Sequence, residues 1–139
     1  MSGEHRHAEP DKLTKNQALV FHALEGSEKP LGAYDLLDAL RGDGLRSPLQ
    51  IYRALDKLIG MGLVHRLESL NAFVLCIHCG EEVRPDNAAF TICTACGRVT
   101  ELNDSSLARL LAQLAEATGF ALEQSTVELR GLCAACQAA

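Results

Sequence analysis

The stretch SPLQIYRALDKLIGMGLVHRLESLNAFVLC, residues 47–76, decides how the first half of this chain folds. Ser47 is suited to cap a helix, and Pro48 fits the first helical position, where its missing N–H costs nothing. Ile51, Leu55, Leu58 and Ile59 recur at i, i+4, i+7 and i+8 and make one buried stripe. At 100° per residue Arg53 points almost opposite that stripe, flanked by Gln50 and Lys57. Gly60 and Gly62 end the helix. Val64–Glu68 and Ala72–Cys76 then read as two short strands joined by Ser-Leu-Asn, the pattern of a hairpin.

Working outward toward the N-terminus, Gly42 and Gly44 close a second helix over Ala33–Arg41 with Leu36, Leu37 and Leu40 apolar. Before it, Glu25–Pro30 is a loop, and Thr14 caps a first helix over Lys15–Leu24 with Ala18, Phe21 and Leu24 on one side. Residues 1–11 read as a disordered arm, with His5 and His7 as solvated tail histidines. Three helices and a hairpin in this order predict a winged helix-turn-helix whose third helix reads the major groove. Gln50, Tyr52, Arg53 and Lys57 face outward, and Gln and Arg are the side chains that pair bidentately with adenine and guanine edges. The plainer alternative is a small helical domain that binds protein.

Toward the C-terminus the chemistry changes. All six cysteines fall in Cys-x-x-Cys pairs, Cys76/Cys79, Cys93/Cys96 and Cys133/Cys136. Each pair offers two thiolates close enough to share one metal, and two pairs complete the tetrahedral S4 shell that Zn²⁺ favours. Three pairs are one more than a single closed site needs. Disulfides would demand an oxidising compartment, whereas the opening MSGEHRHAEP is polar and unlike a signal peptide, so the expected location is cytoplasmic. None of the pairs opens a helix after a buried strand, as a thioredoxin-like redox pair does.

Around these cysteines, Thr91–Cys93 is strand-like, Cys96-Gly97 closes a knuckle and Arg98–Leu102 is a second strand. Asn103-Asp104-Ser105 caps a helix whose face is Leu107, Leu110, Leu111, Leu114 and Ala115, stopped at Gly119. Phe120–Leu122 and Thr126–Leu129 read as further strands before the closing Leu-Cys-Ala-Ala-Cys. Such an α/β unit is too small for a comfortable independent core, and zinc and dimerisation are the usual remedies. The expected organisation is therefore α+β, with a winged-helix DNA-binding domain over 1–75 and a dimerisation and metal-binding domain over 76–139.

Charge fits that division. The net charge of −5 argues by itself against a nucleic-acid binder. Residues 1–75 carry nine Lys/Arg against ten Asp/Glu, however, while 76–139 carry four against eight. The near-neutral first half binds DNA if its basic residues share a face. No run of apolar residues is long enough to span a membrane. Spacing leaves three ways to pair the cysteine turns: first with second as a zinc ribbon, second with third, or first with third.

The chain resembles the ferric uptake regulator family, and specifically its zinc-responsive branch, the zinc uptake regulators. The resemblance is carried by Ala33-Tyr34-Asp35-Leu36-Leu37, Ile51-Tyr52-Arg53-Ala54-Leu55, Gly62-Leu63-Val64-His65-Arg66, Cys93-x-x-Cys96-Gly97-x-Val99-x-Glu101 and Gly131-Leu132-Cys133-Ala134-Ala135-Cys136. Together these span most of residues 14–136 in the family's order. The resemblance implies a homodimeric, metal-dependent transcriptional repressor that binds operator double-stranded DNA and controls zinc uptake genes. It implies one structural zinc on Cys93, Cys96, Cys133 and Cys136. It also implies a second, regulatory zinc at the hinge, with His65, Cys76 and Glu101 on three ligand positions. The fourth position holds Asp86 where a histidine is expected, with Cys79 and His78 as alternatives. DNA contacts are expected from Tyr34, Ser47, Gln50, Tyr52 and Arg53, while Thr14-Lys15-Asn16-Gln17 departs from the family's usual pattern there. Asp38 and Arg41 are placed to pair across two dimers on one operator.

Thiolate, imidazole and carboxylate together suit Zn²⁺ better than Mn²⁺ or a reversible iron site. Two rivals from other classes are a zinc-ribbon interaction module without sensing and a catalytic zinc with Glu101 or Glu81 as general base. No cleft-forming fold is implied, so the enzyme reading is set aside.

Overall fold

The computed structural model describes residues 12–76, 87–102 and 104–138. The arm 1–11 and the candidate ligands His78, Cys79 and Asp86 lie outside the described residues. The chain divides into two compact units, Met1–Ile77 and His78–Ala139.

In the first unit, α1 (Lys15–Glu25), α2 (Ala33–Leu40) and α3 (Pro48–Gly60) are followed by the antiparallel hairpin β1 (Val64–Leu67) and β2 (Ala72–Leu75). Thr14 and Ser47 each accept a backbone N–H from the third helical residue, and Gln17 and Gln50 return the favour, so both helices start in capping boxes. A single 3-10 turn over Arg41–Asp43 follows α2, and Gly44 closes it. Leu31 exchanges both backbone hydrogen bonds with Phe73, at 3.1 and 2.8 Å, an isolated antiparallel bridge that ties the segment before α2 to the wing. Val20, Phe21, Leu36, Leu45, Ile51, Leu55, Leu58 and Val64 are fully buried at the centre. The apolar stripe of α3 thus packs inward and leaves its opposite side to solvent, the arrangement of a winged helix-turn-helix.

The second unit holds β3 (Asn87–Cys93), β4 (Val99–Leu102), α4 (Ser105–Ala117), β5 (Ser125–Gly131) and the short α5 (Ala134–Gln137). Strand order is β4-β3-β5, antiparallel between β3 and β4 and parallel between β3 and β5, with α4 making the crossover. The central strand buries Ala89, Phe90, Ile92 and Cys93.

Two differences from the sequence reading have local causes. The strand expected at Thr91–Cys93 begins at Asn87, because both neighbours pair along its length. The strand expected at Phe120–Leu122 is absent. Gly119, at φ 71°, donates to Glu116 O at 3.0 Å, and Phe120 N–H donates to Ala115 O at 2.9 Å. These are the two bonds of a Schellman cap, so the amide of Phe120 terminates α4 instead of joining a sheet.

Candidate functional site

The knuckle Cys93-Thr94-Ala95-Cys96-Gly97 turns the chain from β3 into β4. Gly97 holds φ 81°, a left-handed conformation that costs glycine nothing, and donates to Cys93 O at 3.0 Å. Thr94 N–H reaches Gly131 O at 2.8 Å, pinning the knuckle to the end of β5, from which Cys133 and α5 follow directly. The single turn of α5 then presents Cys136, with Gln137 Nε2 donating to Leu132 O at 3.0 Å. Parallel pairing of β3 with β5, Cys93 opposite Gly131, is what brings residues 37 and 40 positions apart together.

The sulfurs of Cys93, Cys96, Cys133 and Cys136 all lie within 4.8 Å of one another. Four sulfurs about 2.3 Å from one tetrahedral centre stand about 3.8 Å apart along each edge. Cys96 Sγ and Cys133 Sγ are 3.8 Å apart, far beyond a disulfide and equal to that edge. Cys93 Sγ accepts backbone N–H groups from Cys96 and Cys133, each at 3.4 Å. Those amides, Cys133 first, lower the Cys93 thiol to about 5. Cys133 is also lowered, chiefly by the Cys136 amide. Cys136 is pushed up to about 12 by the neighbouring sulfurs, Cys133 above all. A cluster that holds its last proton so tightly because of adjacent negative sulfur is one that a divalent cation satisfies, and zinc fits this donor set.

A second group sits at the end of the wing. His65 is 8% exposed and Cys76 3% exposed, in a unit whose other buried side chains are overwhelmingly apolar. The Cys76 amide donates to Leu63 O at 2.8 Å, holding it where the hairpin returns beside β1. A ring nitrogen of His65 and Cys76 Sγ come within 4.8 Å of each other. A buried imidazole beside a buried thiol is a mixed N/S donor pair suited to zinc. Glu101 lies on β4 in the second unit, opposite Phe90, and is half-buried.

The outward face of α3 differs in one respect from the sequence reading. Tyr52, Arg53 and Lys57 are exposed, and so is Tyr34 near the start of α2. Gln50 is turned back on the helix start, where its Oε1 accepts Arg46 N–H at 2.9 Å and Ser47 N–H at 3.2 Å. Ser47 Oγ in turn accepts Gln50 N–H at 3.4 Å. Both residues expected to face DNA are thus engaged in the helix cap. Asp38 and Arg41 pair with each other at 3.5 Å on the exposed surface.

In the second unit α4 leaves its apolar face open: Leu110 is 51% and Leu114 58% exposed, and Leu129 on the edge strand β5 is exposed as well. An exposed apolar helix face of this kind is a feature that association surfaces share. Among the described residues no helix is long and apolar enough to cross a membrane.

The ferric uptake regulator family matches residues 10–130. The zinc uptake regulation protein of Escherichia coli (strain K12) is 39% identical over 126 residues, covering 90% of this chain and 72% of that protein. Among solved structures, a zinc uptake regulator complexed with zinc and DNA has a TM-score of 0.83 at 38% identity, over 91% of this chain and 84% of that one. The holo form of XcZur has a TM-score of 0.82 at 41% identity, over 92% of this chain and 88% of that one.

Proposed function

The chain belongs to the ferric uptake regulator family, and we propose that within it this protein is a zinc-responsive transcriptional repressor that binds operator DNA as a homodimer and controls genes of zinc uptake. The observation that carries the reading is the buried His65–Cys76 pair at the end of the wing, in a chain that separately gathers four cysteines. A regulator needs one metal site that holds the fold and another that responds.

The structural site is Cys93, Cys96, Cys133 and Cys136, which tie the two ends of the second unit together. The regulatory site takes His65 and Cys76 from the wing and Glu101 from β4, with Asp86 as fourth ligand. Cys79 and His78 are the alternatives, although Cys76 and Cys79 on one metal would draw the wing strand into a knuckle. Zinc held by residues of both units would fix the wing to the sheet. His65 and Cys76 carry the wing's orientation into that attachment, and Glu101 carries the sheet's. The two recognition helices of a dimer are thereby set one helical turn of DNA apart, about 34–36 Å. Metal shifts the population by its greater affinity for the DNA-competent arrangement.

Leu110, Leu114 and the β5 edge supply the dimer surface. Asp38 and Arg41 exchange partners between neighbouring dimers where two occupy one operator. The protein acts in the cytoplasm, where its DNA and zinc pool are. Zinc content tests the two-site scheme: purified protein should carry two zinc ions per chain, falling to one after mild chelation. A single metal that resists chelation with DNA binding intact would contradict it.

A further inference from the structure

Leu49 stands out on α3. It is 57% exposed, whereas Ile51, Ala54, Leu55 and Leu58 of the same helix are buried. It occupies the second helical position, just after Pro48. By the 3.6-residue period it lies across the helix from Ile51, Leu55 and Leu58, and on the same side as Tyr52 at i+3 and Arg53 at i+4. The first exposed turn of the helix thus presents an isobutyl group, a phenol ring and a guanidinium side by side. Asp56, at i+7 on the same side and also exposed, would repel phosphate, which limits base contact to the first turns of α3.

The neighbouring polar candidate is occupied. A bidentate glutamine–adenine pair needs the carboxamide oxygen to accept from the base and the nitrogen to donate to it. Both lone pairs of Gln50 Oε1 are already taken by the amides of Arg46 and Ser47, and leaving them would uncap α3. Leu49 instead offers an exposed apolar surface on the same side of α3 as Tyr52 and Arg53. In the major groove, thymine is the base that presents carbon to an apolar side chain.

We propose that Leu49 is a specificity-determining residue that reads the 5-methyl group of a thymine in the operator, while Gln50 positions the helix that carries it. The assignment rests on α3 being the recognition helix. Burying one methyl group against Leu49 corresponds to about fourfold in affinity.

The test uses the zinc-loaded full chain and the tightest duplex it selects from random-sequence DNA. Each thymine of that duplex is replaced in turn by deoxyuridine, which removes the methyl group and nothing else. At one or more positions the replacement should weaken the parent protein about fourfold, and L49A should be indifferent at those same positions. L49M, which keeps an apolar tip, should remain sensitive. Indifference of the parent protein to every deoxyuridine overturns the assignment, as does an L49A protein that loses as much as the parent at each position. R53A separates this from the wider reading. If R53A loses operator discrimination while the parent ignores the methyl groups, the Leu49 assignment alone falls. If substitutions throughout the face of α3 leave DNA affinity unchanged, the recognition-helix reading falls and takes Leu49 with it.

Discussion

Replacing Cys96 by Ser should cost the second unit its metal and with it most of its order. Among the described residues of that unit, Phe90 and Ile92 are the large apolar side chains that are fully buried. At about 1.5–3 kcal/mol each, their burial contributes roughly 3–6 kcal/mol. A structural thiolate zinc contributes on the order of 10 kcal/mol, so the metal outweighs the core it supports. The first unit is different, because fourteen buried apolar residues, thirteen from α1, α2, α3 and the wing together with Leu45 of the loop before α3, surround one another without any sulfur ligand. Cys96→Ser is therefore expected to lose one zinc per chain and to melt in two steps. Backbone amides of β3 and β5 should exchange rapidly, while those of α1 to α3 stay protected. Sedimentation should show the dimer weakened in parallel. A Cys96→Ser protein with full zinc content, one cooperative melt at the parental temperature and an intact dimer would refute the pairing of Cys93/Cys96 with Cys133/Cys136.

Other perturbations separate the remaining assignments. Arg53→Ala should weaken operator binding by about 1–3 kcal/mol with zinc content unchanged, and weaken random DNA less; equal losses would reduce Arg53 to a phosphate contact. Cys76→Ala should remain a dimer with its structural zinc but gain no DNA affinity when zinc is added, as read by fluorescence anisotropy. Of Asp86→Ala and Cys79→Ser, the one that weakens the exchangeable zinc tenfold or more, about 1.4 kcal/mol, identifies the fourth ligand. Because the Cys136 thiol is raised to about 12, it is protonated at pH 7.5, and loading the four-cysteine site must expel that proton. Zinc affinity there should rise with pH, and titration of the metal-stripped chain in weak buffer should release at least one proton per zinc; no release would contradict the thiolate shell.

The winged helix was legible because its signals are local. Thr14 and Ser47-Pro48 mark helix starts within four residues of the bonds they make, and the stripe from Ile51 to Ile59 states which side of α3 is buried. The second unit depends on contacts distant in sequence. Nothing near Asn87 announces that β3 pairs in parallel with β5 across α4, yet that pairing is what gathers the four sulfurs. The apolar side chain of Phe120 suggests a strand, whereas its amide and that of Gly119 together form the helix cap. Gln50 carries both a capping position and an outward helical phase. The phase suggests DNA, and only the geometry at Arg46 and Ser47 shows that the cap uses its oxygen. An exposed leucine such as Leu49 leaves no mark in a hydrophobic pattern.

Occupancy of the His65–Cys76 site is expected to govern DNA binding, and one titration tests this. The affinity of the purified full chain for its selected duplex is measured by fluorescence anisotropy across buffered free zinc, with the four-cysteine site filled throughout. Affinity should climb with free zinc over one saturable transition that coincides with uptake of the second metal per chain and vanishes in Cys76→Ala. An affinity that stays constant across the whole zinc range, or that rises equally in Cys76→Ala, would contradict that expectation.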